Sequence, residues 1–267
     1  MLLRETGFTF DGIHSRTDMG LIYAEKDGHV FIPKIERNEY EIAGMSGSVL
    51  MDGETFGTIT FEGTLYPAVE RPTQAQAQQL LRAVAAWLTA GRKRLIFDYE
   101  PGVYYLAQLS AQSKWSLKNW FGGEIPVKFE AQPFAYAVEE TSVTAEKTTA
   151  GVTMQLKLAT GRPAPLRILI ANTGTATINR VRIKSQTTGP DFRDLALTPG
   201  QTLRIDFETP IGAVIEEEGQ EPVNALPKAA RFPILTAQNG TNNLPIWLTH
   251  GDGDKGETVT VSARARW

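Results

Sequence analysis

The sequence predicts a mainly β protein in two domains. Residues 139 to 267 hold short runs in which apolar and polar residues alternate, separated by Gly, Pro, Asn and Thr, the pattern of half-buried antiparallel strands. Residues 1 to 138 hold similar runs around a single segment with helical spacing. A length of 267 residues also suits two cores of ordinary size better than one. The expected architecture is an N-terminal domain, residues 1–138, built as a β-sandwich or split barrel with one helix, followed by an antiparallel β-sandwich over residues 139–267.

The helix is expected over about residues 73–90. Pro72-Thr73 is a start signal, Ala77, Leu80, Leu81, Val84, Trp87 and Leu88 recur on one face, and Gly91 supplies a C-terminal cap. Leaving Trp87 and those leucines wet would cost about 1.5–3 kcal/mol each, so the stripe packs on a sheet. Next, Leu95 and Phe97 begin a hairpin that turns through Asp98–Gly102 and returns along Tyr105, Ala107 and Leu109. Ile125, Val127, Phe129 and Ala131 alternate with polar residues in a further strand that Pro133 is expected to end.

In the second half, strands are expected at Val152–Leu158, Leu166–Ile170, Val181–Ile183, Leu203–Phe207 and Val259–Ala263. One-faced sheets without helices must cover each other, hence a sandwich. Glu139–Thr149, poor in large apolar groups, reads as the linker between domains.

Composition narrows the function classes. At 42% hydrophobic and 21% charged residues the chain is an ordinary globular one. It has no apolar run long enough to span a membrane, and its N-terminus lacks the features of a secretory leader. With no cysteine there are no disulfides, thiolate metal sites or cysteine nucleophiles, which fits synthesis in a reducing cytoplasm. The net charge of −3 lies in residues 1–138, where 16 acids face 13 bases; residues 139–267 balance at 14 each. Such a balance does not predict specific nucleic-acid binding.

Catalytic signals are absent from the sequence. His14, His29 and His250 fall in no metal-ligand spacing and read as surface or turn histidines. Asp252-Gly253-Asp254-Lys255-Gly256 begins like a calcium loop, but its third acidic position is Gly256 and its twelfth is Ala263, so a polar turn is the better reading. Gly44-Met45-Ser46-Gly47-Ser48 has no lysine and opens no helix, which leaves a flexible loop rather than a phosphate cradle. Glu216-Glu217-Glu218 reads as a solvated loop. No catalytic residue, cofactor or metal ligand is nominated. Three tryptophans, Trp115, Trp120 and Trp247, are candidates either for protein–protein contact or for stacking on a sugar ring, with subunit contact favoured.

A family resemblance adds to this. Phe8-Thr9-Phe10-Asp11-Gly12-Ile13-His14-Ser15 with Asp18-Met19-Gly20-Leu21 resembles the opening of phage distal tail proteins. So do the order and spacing of the helix ending in Trp87-Leu88, the hairpin through Pro101-Gly102 and Ile125–Tyr136. Asn239–Asn243 and the Val259–Trp267 strand resemble that family's galectin-like C-terminal domain. The resemblance implies a non-enzymatic, homohexameric ring, single or double, at the tail tip of a virion. Its partners would be the tail tube protein, the tail-tip hub and receptor-binding proteins, and there would be no cofactor and no membrane insertion. Six N-terminal halves would carry a formal charge of about −18, which would repel passing DNA if it lined the channel. The galectin-type His-x-Asn-x-Arg signature is missing, since no histidine precedes Asn179-Arg180-Val181-Arg182. A glycan-binding adhesin built from the same strands is the alternative, and a β-sandwich glycosidase a third, although no carboxylate pair is singled out for it.

Overall fold

The computed structural model describes residues 7–26, 28, 32–37, 39–50, 55–68, 73–110, 123–146, 151–184, 189–208 and 210–267. Contacts divide the chain into two compact units, Met1–Val138 and Glu139–Trp267. The protein is mainly β, with one α-helix among the described residues. That helix is too short to cross a membrane.

The first unit contains β1 (Phe8–Phe10), β2 (Ile13–His14), β3 (Leu21–Glu25), β4 (Ile35–Glu36), β5 (Glu39–Glu41), β6 (Ser48–Leu50), β7 (Thr55–Phe56), β8 (Ile59–Pro67), α1 (Gln74–Leu88), β9 (Lys93–Phe97), β10 (Val103–Leu109) and β11 (Ile125–Ala137). Seven of these strands form one antiparallel sheet in the order β2-β1-β9-β10-β11-β8-β3. Although β1 and β3 lie near opposite ends of that order, the rings of Phe8 and Tyr23 meet edge to face at 5.2 Å. The sheet is therefore curled, and its ends face one another across a shared interior. Period-two side chains from β8 (Ile59, Phe61, Leu65) and β11 (Ile125, Val127, Phe129, Ala131) fill it. At the intervening inward position of β8 only glycine fits, because a Cβ on Gly63 would lie 2.2 Å from the Tyr23 ring.

Helix α1 closes this interior. A capping box starts it, with Thr73 Oγ1 accepting from the Gln76 amide and Gln76 Oε1 accepting from the Thr73 amide. Ala77, Val84, Trp87 and Leu88 are buried, and Leu80 and Leu81 pack partly buried against the core. Trp87 stacks on Phe8 at 5.4 Å, and its Nε1 donates to the Phe10 carbonyl at 2.8 Å, which ties the helix to β1.

The sequence expectation differs from this unit in two places. Strand β11 does not end at Pro133 but runs on to Ala137. Its pairing with β10 jumps from Ala107↔Ala131 to Tyr105↔Ala135, so Pro133 sits in a bulge where no ladder N–H is required. Between β3 and β8, moreover, β4–β7 and β5–β6 pair as successive sections of one two-stranded ribbon. Its tip is the glycine-rich Gly44–Gly47 segment, with both glycines at positive φ.

The second unit is a sandwich of β12 (Thr141–Glu146), β13 (Gly151–Leu158), β14 (Ala164–Asn172), β15 (Ile178–Ile183), β16 (Asp191–Phe192), β17 (Thr202–Asp206), β18 (Gly212–Glu216), β19 (Val223–Asn224), β20 (Ala229–Arg231), β21 (Thr236–Ala237), β22 (Gly240–His250) and β23 (Glu257–Ala263). One sheet runs β12-β23-β14-β17-β18-β19, with β21 also paired to β14; the other runs β13-β22-β15-β16-β20. Buried faces meet between them, Leu166, Ile168, Ile170, Val259 and Val261 from the first and Met154, Leu156, Val181, Ile183 and Ile246 from the second. The Glu139–Thr149 segment is not all linker. Residues 141–146 form the edge strand β12, paired rung for rung with β23. Its side chains stay largely exposed, so it lacks the apolar alternation that marks a buried strand.

Trp87 tests the closure of the first unit. Trp87→Ala should lower unfolding stability by about 3–5 kcal/mol through lost packing. Trp87→Phe, which removes the indole donor to the Phe10 carbonyl, should cost about 0.5–1.5 kcal/mol. Urea midpoints on the full chain check both, and a Trp87→Phe midpoint unchanged from the unsubstituted chain would mean that the indole hydrogen bond contributes nothing.

Candidate functional site

Strand β15 reads Ile178-Asn179-Arg180-Val181-Arg182-Ile183, followed by Lys184. Val181 and Ile183 are buried, so the alternating Arg180, Arg182 and Lys184 point to the outer face of their sheet. A bulge between Ile178 and Arg180 resets the register that makes this possible. On the neighbouring β16, Asp191 pairs with Arg182 on one side and with Arg231 of β20 on the other.

Asp191 organises the group. Arg180 donates through Nε to Oδ1 at 2.8 Å and through Nη2 to Oδ2 at 2.7 Å, and Arg193 Nε reaches Oδ2 at 3.1 Å. The hydrogen bond from Arg180 is the largest effect holding the Asp191 carboxyl below its ordinary value, with Arg193 adding to it. The same bond pushes the Arg180 guanidinium upward. Around this single carboxylate, Arg180, Arg182, Lys184, Arg193 and Arg231 line a cleft of about 390 Å³. Five cations against one anion leave four positive charges in excess.

Trp247, the one sequence-nominated tryptophan among the described residues, adjoins this cleft. It lies opposite Arg182 in the β15–β22 register, with the guanidinium carbon 5.0 Å from the ring centroid. Its side chain is part-exposed at 37%. Trp115 and Trp120 lie outside the described residues.

The opposite sheet has a different character. Arg167 pairs with Asp206 at 2.5 Å, Arg204 with Glu216 at 2.5 Å and with Asp206 at 3.1 Å, and Glu140 accepts from Ser262 at 2.7 Å. These ion pairs close on one another. Glu216 belongs to this network as the last residue of β18, not to a solvated loop. Apart from the buried Glu257, the strands of this sheet contain Glu146, Asp206 and Glu216 against two arginines. Those of the other sheet contain Lys157, Arg180, Arg182 and Arg231 against Asp191 alone. A domain whose formal charge cancels is thus electrostatically two-faced.

The histidines serve structure. His14 accepts the Arg16 and Thr17 amides at Nδ1 and meets Asp98 through Nε2 at 3.0 Å, which fixes the turn after β2. His250 is no surface residue. Its side chain is 2% exposed and its Nε2 lies 3.0 Å from the wholly buried Glu257, so the pair ties the end of β22 to the start of β23. The intervening Asp252–Gly256 segment is a turn whose Asp254 carbonyl accepts the Thr175 and Ala176 amides. His29 is outside the described residues.

The first unit offers a second candidate surface. Ile35, Tyr40, Ile42 and Met45 on the ribbon are exposed, as is Ile32 just before it. Isolated two-stranded ribbons are marginal in water, and apolar groups gathered on one call for a cover.

No protein-family model matches the chain, and no curated protein matches it. Solved structures do. The Dit protein of phage SPP1, described as a paradigm of the hub adsorption apparatus in phages infecting Gram-positive bacteria, superposes with a TM-score of 0.66 at 14% identity. The match covers 98% of this chain and 99% of that one. A chain of the activated phage p2 baseplate with strontium matches at TM-score 0.51 and 12% identity, over 96% and 97% of the two chains. A chain of the same baseplate with calcium gives 0.51 and 11%, over 97% and 98%. The chain has the fold of SPP1 Dit.

The Asp191 cluster carries a pH signature. A carboxyl whose folded value is depressed contributes stability that is complete above its unfolded value, near about 3.9, and is lost as pH falls through the folded value. The stability difference between the unsubstituted chain and Asp191→Asn should therefore be constant from about pH 7 to 5 and shrink below about pH 4. Urea midpoints of both proteins across that range check it; a difference undiminished at low pH would contradict the assignment.

Proposed function

We propose that this chain is a distal tail protein of a long, non-contractile phage tail, a structural and non-catalytic hub. Residues 1–138 close into a six-membered ring that joins the tail tube protein to the tail-tip hub and lets the genome pass, and residues 139–267 face receptor-binding proteins. The protein resides at the tail tip of the virion. The observation that carries this reading is the likeness to SPP1 Dit, which runs through both units with almost nothing of either chain left over. Two further features support it. The exposed apolar residues of the β4–β7 ribbon need a cover that a neighbouring subunit supplies. The net negative charge of the first unit also suits a channel that must not grip DNA.

The competing reading, a glycan-binding adhesin of a phage or bacterial surface, draws on the exposed Trp247 and requires no ring.

Native mass spectrometry over a concentration series, with negative-stain images of the same fractions, tests the proposal. Annular hexamers or stacked double rings are expected; monomer at every concentration would overturn the ring. Tyr40→Glu and Met45→Glu, each placing a charge on the ribbon, should weaken assembly by at least about tenfold, the effect of a charge buried unpaired in an interface.

A further inference from the structure

The cleft beside Trp247 combines three properties that point to a ligand. Among the described residues Asp191 is its only carboxylate, and Arg180 and Arg193 already hold that group. Arg182, Lys184 and Arg231 are therefore left facing the cleft without a carboxylate on it. Keeping this many like charges on one surface costs self-repulsion, which an incoming anion relieves. A concavity of about 390 Å³ also falls in the range of small-ligand sites rather than flat protein interfaces. Finally, the Trp247 indole provides an apolar plane next to the cations, with Arg182 stacked across it.

We propose that this face of the second unit binds a phosphate-bearing saccharide polymer, with Arg182, Lys184 and Arg231 taking the phosphate and Trp247 packing on the sugar. Asp191 positions Arg180 and Arg193 at the rim. Guanidinium groups match phosphate oxygens bidentately, and an indole face suits the C–H side of a pyranose ring. Together these groups favour such a ligand over an acidic peptide, which would bring no ring to the exposed part of the indole. The proposal goes beyond the structural role above and does not depend on ring formation, because every residue it uses lies within residues 180–247.

The test immobilises four probes, namely phosphomannan, unphosphorylated mannan, polyglutamate and single-stranded DNA, and measures binding of the full chain by biolayer interferometry at about 0.15 M salt, where weak surface attraction is screened. The expected result is binding to phosphomannan and not to mannan, displaced by free inorganic phosphate. Arg182→Glu and Arg231→Glu should each lower affinity by at least about tenfold, Trp247→Ala by a few-fold, and the matched charge change Lys255→Glu, on the β22–β23 turn outside the cleft lining, not at all. Arg182→Gln and Arg231→Gln, which avoid a charge reversal, should show the same order with an unchanged near-ultraviolet spectrum. Equal binding to mannan would overturn the proposal. So would tighter binding to polyglutamate or DNA than to phosphomannan, no binding to any probe, or loss of affinity that Lys255→Glu reproduces. Oligomeric state measured on the same variants separates failure of this site from failure of the ring.

Discussion

An antiparallel sheet with one apolar face must cover that face, and the two units meet the requirement differently. In the first, the sheet curls until Phe8 touches Tyr23, and α1 covers what the curl leaves open. This works only because β8 gives up a side chain at Gly63 to admit the tyrosine ring. In the second, two sheets cover each other, and no helix is called for. Once both interiors are sealed, the surfaces available for partners are those where the rule is not applied or is irrelevant: the ribbon, whose apolar residues find no cover among the described residues of their unit, and the outer sheet faces.

Those outer faces show how little net charge says about binding. The second unit contains equal numbers of acids and bases, yet its pairing order sorts them. Arg167, Arg204, Asp206 and Glu216 neutralise one another on one sheet, whereas Asp191 on the other is outnumbered. The sorting is a matter of strand parity. A one-residue slip of β15 would bury Arg180 and Arg182 and expose Val181, and the bulge after Ile178 fixes the register that prevents it.

Much of this fold is legible in the sequence because burial leaves a period. The helix face from Ala77 to Leu88 and the strands at β9, β11, β13, β14 and β23 all bury alternate or every-third-or-fourth residues. Elements with weak burial are the ones sequence reading misses. The ribbon has few inward positions, β12 is held by its ladder and by Thr144–Thr260 hydroxyls, and β22 opens with polar Thr241-Asn242-Asn243 before its apolar half. The cationic cleft was half visible. Arg180, Arg182 and Lys184 alternate in plain sight, but Arg193 and Arg231 join them only through pairing across β16 and β20. His250 has no sequence signal at all, since its burial depends on Glu257 across a turn.

The pairing of β12 with β23 has a mechanical consequence. The two strands run antiparallel, with Thr141 opposite Ala263, so the chain enters the sandwich beside the end of its last strand. Tension applied between residues 140 and 264 loads the six rungs of that ladder one at a time, as in a zipper, instead of shearing them together. Because β12 is an edge strand with few buried groups, it peels away while β23 remains paired to β14 and the inner faces stay closed. Glu140, held by Ser262 and Arg167, is the latch at the first rung. Under such a load β12 is thus the strand expected to open first, ahead of any part of the closed interior.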